Sequence, residues 1–120
     1  MHIPGELRYP KKDLTTVEKW ARNLVPKRIQ DQLRIEVDHD DDTITVFECR
    51  PPWHPTESDT GPWIRQGVAQ FHFDWLGGKW ALFWFDQDSN LHPCTTVNFS
   101  SDIGRLVEYL DSGDNPIFWG

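Results

Sequence analysis

Residues 67–86 read Gly-Val-Ala-Gln-Phe-His-Phe-Asp-Trp-Leu-Gly-Gly-Lys-Trp-Ala-Leu-Phe-Trp-Phe-Asp, and this stretch decides the fold. Gly77-Gly78 is a two-residue turn that tolerates the positive φ values of a tight hairpin, so strands are predicted over 67–76 and 79–86. The predicted register sets Trp75 opposite Trp80, Phe73 opposite Leu82 and Phe71 opposite Trp84. One face of this hairpin is then apolar and the other is mixed. We expect the hairpin to lie centrally, with its mixed face covered in part by a helix or a second subunit.

Another hairpin precedes it. Apolar residues alternate with charged ones from Leu33 to Asp38, which predicts a half-buried strand. The acidic run 38–42 is the predicted turn, and the return strand spans 43–50. A four-residue turn would set Val37 opposite Ile44 and Ile35 opposite Val46. That register places Glu48 on the same face as Ile44 and Val46.

The remaining elements are a long loop, an edge strand and two helices. The prolines at 51 and 52 end the second strand, and a loop is predicted over 53–66. A further strand over 91–95 contains Pro93, which confines it to a sheet edge. A capping box of Thr15 and Glu18 predicts a helix that begins near Asp13 and ends before Pro26. Ser100 or Ser101 is the predicted cap of a final helix. Its apolar stripe consists of Ile103, Leu106, Val107 and Leu110.

These elements predict an α+β fold, in which an antiparallel meander sheet of about five strands has the N- and C-terminal helices packed on one face. Residues 1–12 are expected to form an extended arm, and residues 13–120 a single α+β domain. Trp75, Trp80 and Trp84 are interpreted as a cross-strand stack that specifies the central hairpin.

Composition and charge limit the functional classes. The chain has a formal net charge of −7, with 12 Lys and Arg against 19 Asp and Glu, which argues against general nucleic-acid binding or an anionic-membrane surface. Two cysteines are too few for a disulfide framework, and no apolar signal segment follows Met1. The longest apolar run, 80–85, is too short to span a bilayer. A cytoplasmic protein is therefore expected.

Four ordered motifs resemble those of one bacterial family. They are Phe47-Glu48-Cys49-Arg50-Pro51-Pro52-Trp53, then Val68-Ala69-Gln70, then Lys79-Trp80 to Trp84 with Asp86, and finally Ile117-Phe118-Trp119-Gly120. Together they resemble the family catalogued as domain of unknown function 3024, from the first helix to the last residue. The chain has His72, Phe85 and Gln87 where basic residues are expected on the central hairpin. The resemblance implies a compact bacterial domain without an established activity or assigned catalytic residues.

The best candidate site lies where the second strand ends. Glu48 would be costly to bury without a partner, and Arg50 projects from the same face. A carboxylate beside His54 could serve as an acid–base pair, so Glu48 and His54 are the candidate catalytic residues. The structural alternative is a Glu48–Arg50 ion pair that fixes the strand end to the loop.

A metal site is a weaker alternative. His92 and Cys94 could supply two ligands, with His72 or Cys49 from neighbouring strands, since zinc accepts nitrogen and sulfur donors. The two residues lie two positions apart, without a CxxC or HxxxH motif, and an isolated cysteine usually behaves as a small buried apolar residue. No metal and no cofactor are therefore assigned.

The aromatic surplus points to binding. Tryptophans in the long loop have less assured burial than those on the sheet, and Trp is enriched at binding hot spots. Arg50, Trp53, His54, Trp63 and Arg65 are therefore the candidate binding residues for an unidentified protein or small molecule. The leading hypothesis is a non-enzymatic binding or interaction module that uses the 53–66 loop and the adjacent sheet edge. The alternatives are a small hydrolase-like acid–base enzyme centred on Glu48 and His54, and self-association into a homodimer.

Overall fold

The fold was analysed in a computed structural model, which describes residues 5–51, 63–112 and 118. Helix α1 spans Lys11–Leu24, a 3₁₀ turn follows at Lys27–Ile29, and helix α2 spans Ile103–Asp111. The five strands are β1 Arg34–His39, β2 Thr43–Arg50, β3 Ile64–Asp74, β4 Lys79–Phe85 and β5 Leu91–Pro93.

All five strands form one antiparallel sheet in the order β1-β2-β3-β4-β5. One core contains side chains from a single face of this sheet together with the apolar stripes of both helices. The sheet contributes Ile44, Val46, Ala69, Phe71, Trp80 and Leu82, and the helices contribute Leu14, Val17, Ile103, Leu106, Val107 and Leu110. The α+β meander with both helices on one face is therefore confirmed.

The predicted register of the central hairpin is wrong by two residues. Phe73 pairs with Trp80, Phe71 with Leu82 and Ala69 with Trp84. The turn contains four residues, because the Asp74 carbonyl accepts the Gly78 N–H and the Asp74 carboxylate accepts the Leu76 N–H. These bonds close a wider loop in which only Gly78 has a positive φ, of 66°. Trp75 consequently lies in the turn with Arg8 over its ring, and the predicted stack on Trp80 is wrong.

The turn of the first hairpin is shorter than predicted, whereas the turn of the central hairpin is longer. Val37 pairs with Val46 and His39 with Ile44, so β1 extends into the acidic run and the turn is shorter than predicted. Asp40 still donates its N–H to the Thr43 carbonyl, which leaves only two residues between them. A shift of two residues returns each side chain to its original face. The expectation that Glu48 shares a face with Ile44 and Val46 is therefore correct.

Both helix starts differ from their predicted caps. Helix α1 begins at Lys11, after the N-cap residue Pro10, and Thr15 bonds the Lys11 carbonyl from within the helix. Proline suits a helix start because its φ is already helical and the first N–H groups need no intrahelical partner. In α2 the cap is Asp102, whose carboxylate accepts the Gly104 N–H at 2.9 Å. The predicted end of α1 before Pro26 is correct.

The sheet and α1 are joined by a buried hydrogen bond. Trp80 has no exposed surface, and its Nε1–H donates to Asp13 Oδ2 at 3.0 Å. Tyr9 packs edge-on against the Trp80 ring at a centroid distance of 4.8 Å, so the segment before the helix contributes to the same core. A buried indole N–H requires an acceptor, and Asp13 supplies it from the first turn of α1.

We predict that Asp13→Ala lowers the free energy of unfolding by about 1–3 kcal/mol, because it leaves the Trp80 N–H without an acceptor. Asp13→Asn, whose amide oxygen can accept the same bond, should lose less. Thr16→Ala, at an exposed position of the same helix, is the control. Urea unfolding followed by tryptophan fluorescence measures all three, and equal losses in Asp13→Ala and Thr16→Ala would contradict this role.

Candidate functional site

The sheet separates the described candidate residues onto its two faces. Arg50 follows Glu48 by two positions and lies on the face that bears the helices. Arg65 pairs with Cys49, and Trp63 lies two positions before it, so both belong to the opposite face. Trp53 and His54 lie outside the described residues. The described residues of the predicted binding cluster therefore lie on two separate surfaces, Arg50 on one and Trp63 and Arg65 on the other.

On the helix-bearing face, Glu48 and Arg50 form the expected ion pair. Arg50 Nε lies 2.7 Å from Glu48 Oε1, and the Arg50 side chain is 65% exposed. A shallow cavity of about 120 Å³ lies beside the pair and is lined also by Pro51, Ile64 and Gln66. Exposed ion pairs of this kind contribute little to stability, on the order of 0–1 kcal/mol. The pair fixes the orientation of Glu48 at the end of β2.

Two larger cavities lie where α1 ends against β1. One of about 490 Å³ is lined by residues that include Val25, Arg34 and Ile35, and one of about 270 Å³ lies between Leu24, Leu33 and Glu48. None of the described histidines lines these cavities or the one beside Arg50. The acid–base hypothesis for Glu48 therefore depends on His54, which is not described.

The second surface is the sheet face without helices, called the open face below. Side chains alternate between the two faces along each strand, so the strand register decides which residues lie on the open face. They are Arg34, Glu36 and Asp38 of β1; Thr43, Thr45, Phe47 and Cys49 of β2; Arg65, Gly67, Gln70, His72 and Asp74 of β3; Lys79, Ala81, Phe83 and Phe85 of β4; and Leu91 and Pro93 of β5. A bulge at Val68 keeps both halves of β3 in phase with β2.

Arginines stack on aromatic rings at one side of the open face. The Arg65 guanidinium lies 4.0 Å from the centre of the Phe47 ring and contacts Glu36 at 3.1 Å and Asp38 at 2.9 Å. The Arg34 guanidinium lies 4.0 Å from the Trp63 ring centre. Guanidinium groups stack on rings because they are planar and weakly hydrated. Both cations therefore lie over aromatic rings of the open face.

His72 lies near the middle of the open face. Its ring stacks on Phe83 at a centroid distance of 4.1 Å, and its Nε2 contacts the amide oxygen of Gln70. The Gln70 amide nitrogen donates to Thr45 Oγ1 at 2.8 Å. Burial lowers the pKa of His72, while Asp42 acts in the opposite direction. A network of neutral polar groups therefore occupies the centre of this face.

Phe85 covers a gap in the sheet. A side chain at Gly67 would place its Cβ within 2.6 Å of the Phe85 ring, so the ring lies directly over the glycine. Cysteine 49 is fully buried beside this region, and burial, followed by the charge of Glu36, raises the pKa of its thiol. A protonated buried thiol is a poor nucleophile, which favours packing over catalysis at Cys49.

The candidate metal ligands are not assembled into a cluster. His92 stacks on Trp84, and its Nε2 lies 2.7 Å from Asp86 Oδ2. Cys94 is buried in the core beside Thr96, whereas His72 and Cys49 lie on the open face. Across the described ranges, no group of three or more His, Cys, Asp or Glu side chains could hold a metal ion.

Sequence reasoning placed function in the 53–66 loop and missed most of the open face. Residues 64–66 belong to β3, and the loop before residue 63 is not described. The missed members include Phe47, which contacts Arg65, and His72, which contacts Gln70 and Phe83. The mixed face of the predicted hairpin was the available signal, because polar and aromatic residues shared it. The expectation that a helix covers part of that face is wrong for the described residues, since both helices pack on the apolar face.

Comparison with known proteins identifies the family. The family described as Domain of unknown function (DUF3024) matches residues 6–120, and the chain belongs to it. This confirms the resemblance seen in the four sequence motifs. No curated protein and no solved structure matches the chain. Neither described helix is long and apolar enough to cross a membrane.

We predict that acid weakens the fold through His72. Because the pKa of His72 is lower in the folded protein than its ordinary value of 6.5, the unfolded chain binds the proton more readily. The stability that neutral His72 provides is fully present above the pKa of the unfolded chain. It falls as the pH drops from that pKa toward the lower pKa of the folded protein. His72→Gln should lose this dependence, and His39→Gln, at an exposed position, should keep it.

Urea unfolding at a series of pH values between 5 and 8, the range in which histidine titrates, measures this dependence. A pH dependence that is unchanged in His72→Gln would show that other groups produce it.

Proposed function

We propose that this chain is a non-enzymatic protein-interaction module that binds its partner on the open face of the sheet. The observation that supports this most strongly is the one-sided packing of the two helices. An antiparallel sheet can expose one face to water, and such a face is usually polar. Here the half-buried rings of Phe47, Phe83 and Phe85 and the exposed Leu91 share the face with neutral polar groups and with charged residues at its margins.

The composition of the open face suits a protein partner. Its centre combines neutral polar groups with the Phe83 ring, and its charged residues lie toward its margins. A core depleted of charge inside a polar rim is the usual composition of a protein interface. A cavity of about 530 Å³ borders this face, but polar residues such as Asp38, Thr45 and Gln70 form most of its lining, whereas small-molecule sites are predominantly apolar.

Two of the residues proposed from sequence belong to this surface. Trp63 and Arg65 lie on the open face, with Arg34 and Phe47 as their stacking partners. Trp and Arg are enriched among the residues that contribute most to protein interfaces. The stacks hold these side chains in place before a partner arrives, which lowers the entropic cost of binding.

Site-specific photocrosslinking in the native host tests the proposal. A p-benzoylphenylalanine at Leu91, which is 37% exposed on the open face, should capture a discrete protein. The same group at Lys79 on that face should capture the same protein. The controls are Thr16 in α1 and Arg105 in α2, both exposed on the helix side of the molecule.

Mass spectrometry of the adducts identifies what was captured. One protein attached at both open-face positions and absent from both helix positions is the expected result. Equal capture at all four positions, or none at Leu91 and Lys79, would contradict an interaction surface on the open face.

A further inference from the structure

We infer that the partner on the open face is a second copy of this chain, so that two sheets pack face to face in a symmetric homodimer. This inference rests on the proposed function and specifies the partner. It depends on the charge balance, the area and the symmetry of the open face.

The strands of the open face carry no net formal charge, although the whole chain is strongly acidic. Its strands contribute three acidic side chains, Glu36, Asp38 and Asp74, and three basic ones, Arg34, Arg65 and Lys79. The whole chain has a net charge of −7, so the excess negative charge lies elsewhere. In a two-fold interface the same patch meets itself, and a patch with excess charge would repel its own copy. A patch without net charge therefore favours self-association, whereas a different partner would only need a complementary charge.

Most charges of this face already have a polar contact. Arg65 contacts Glu36 and Asp38, and the Arg34 Nε–H donates to the Gln30 carbonyl. The Asp74 carboxylate accepts the Leu76 N–H, and Lys79 is its cross-strand neighbour. Burial of a charge without a partner is costly, and these contacts reduce that cost.

The area of the face approaches the lower end of the range for specific dimers. The five strands contain 6, 8, 11, 7 and 3 residues. At about 3.3 Å per residue and 4.8 Å between strands, they give a face on the order of 550 Å². Specific interfaces bury roughly 600–1,000 Å² on each partner. The apolar part of this area includes Ala81, Phe83, Phe85 and Leu91. Two packed sheets would then form a sandwich with the four helices outside.

The sheet order identifies the centre of the interface. β3 is the middle strand of five, so a two-fold axis through the middle of the face brings β3 of one copy near β3 of the other. Gln70 and His72 of the two copies therefore lie closest to the axis. A charge introduced at Gln70 would meet its own copy at short range.

Sedimentation velocity over a wide concentration range tests the inference. Wild-type protein should sediment at twice the chain mass of 14.1 kDa. Gln70→Glu changes almost no volume but places two like charges near the axis, so it should weaken the dimer at least tenfold. Gln32→Glu is the matched control, because the same change at an exposed position outside the sheet should leave the dimer intact.

A charge-swap mixture guards against misfolding as the cause. Gln70→Glu and Gln70→Lys should each be weaker dimers, and their equimolar mixture should dimerise again through opposite charges. A wild-type chain that remains at 14.1 kDa at the highest concentration would overturn the inference. So would a dimer that Gln70→Glu leaves unchanged.

The photocrosslinking result separates the two proposals. If wild-type protein is monomeric and Leu91 still captures a different protein, the interaction module stands and the homodimer fails. If the chain is monomeric and Leu91 captures nothing, both proposals fail.

Discussion

The arrangement of this protein depends on a single packing constraint: both helices cover the same face of the sheet. Trp80 makes this constraint specific, because its fully buried indole donates to Asp13 in the first turn of α1. The apolar stripes of α1 and α2 then fill the remaining space over Ile44, Phe71 and Leu82. The opposite face receives no described helix, and its polar side chains pair with one another where the strands bring them together.

That division explains why residues close in sequence have separate environments. Glu48 and Arg50 face the helix side, where they form an ion pair beside shallow cavities. Cys49 lies between them in sequence but is buried on the other face. The alternation of a strand separates neighbours by the thickness of the sheet, so a cluster proposed from sequence distance alone joins groups that cannot meet.

Much of the fold could be predicted because its signals are local. The apolar stripe of α2, the stop before Pro26 and the position of Pro93 at an edge each follow from the chemistry of a few adjacent residues. The hairpin registers were wrong by two residues because turn length depends on hydrogen bonds, such as those of Asp74, that composition does not reveal. The predicted face of residues such as Glu48 was nevertheless correct, since a register shift of two residues preserves the alternation of faces along a strand.

The candidate site was less predictable for a related reason. A stack such as Arg65 on Phe47 joins residues from two strands, and their contact follows from a register that includes the bulge at Val68. The same is true of the contact of Thr45 with Gln70. Neither contact has a sequence motif of its own. The proposed interaction depends on which side chains the register brings together, and on the absence of a helix over them in the described structure.

Hydroxyl-radical footprinting tests the central claim, that a partner copy covers the open face. Wild-type protein and Gln70→Glu would be compared at one concentration, with oxidation measured at each side chain. The account predicts that Phe83, Phe85 and Leu91 are oxidised more slowly in the wild type, while the exposed Trp75 and Leu76 of the β3–β4 turn react equally in both. Equal oxidation of the open-face residues in the two proteins would contradict it.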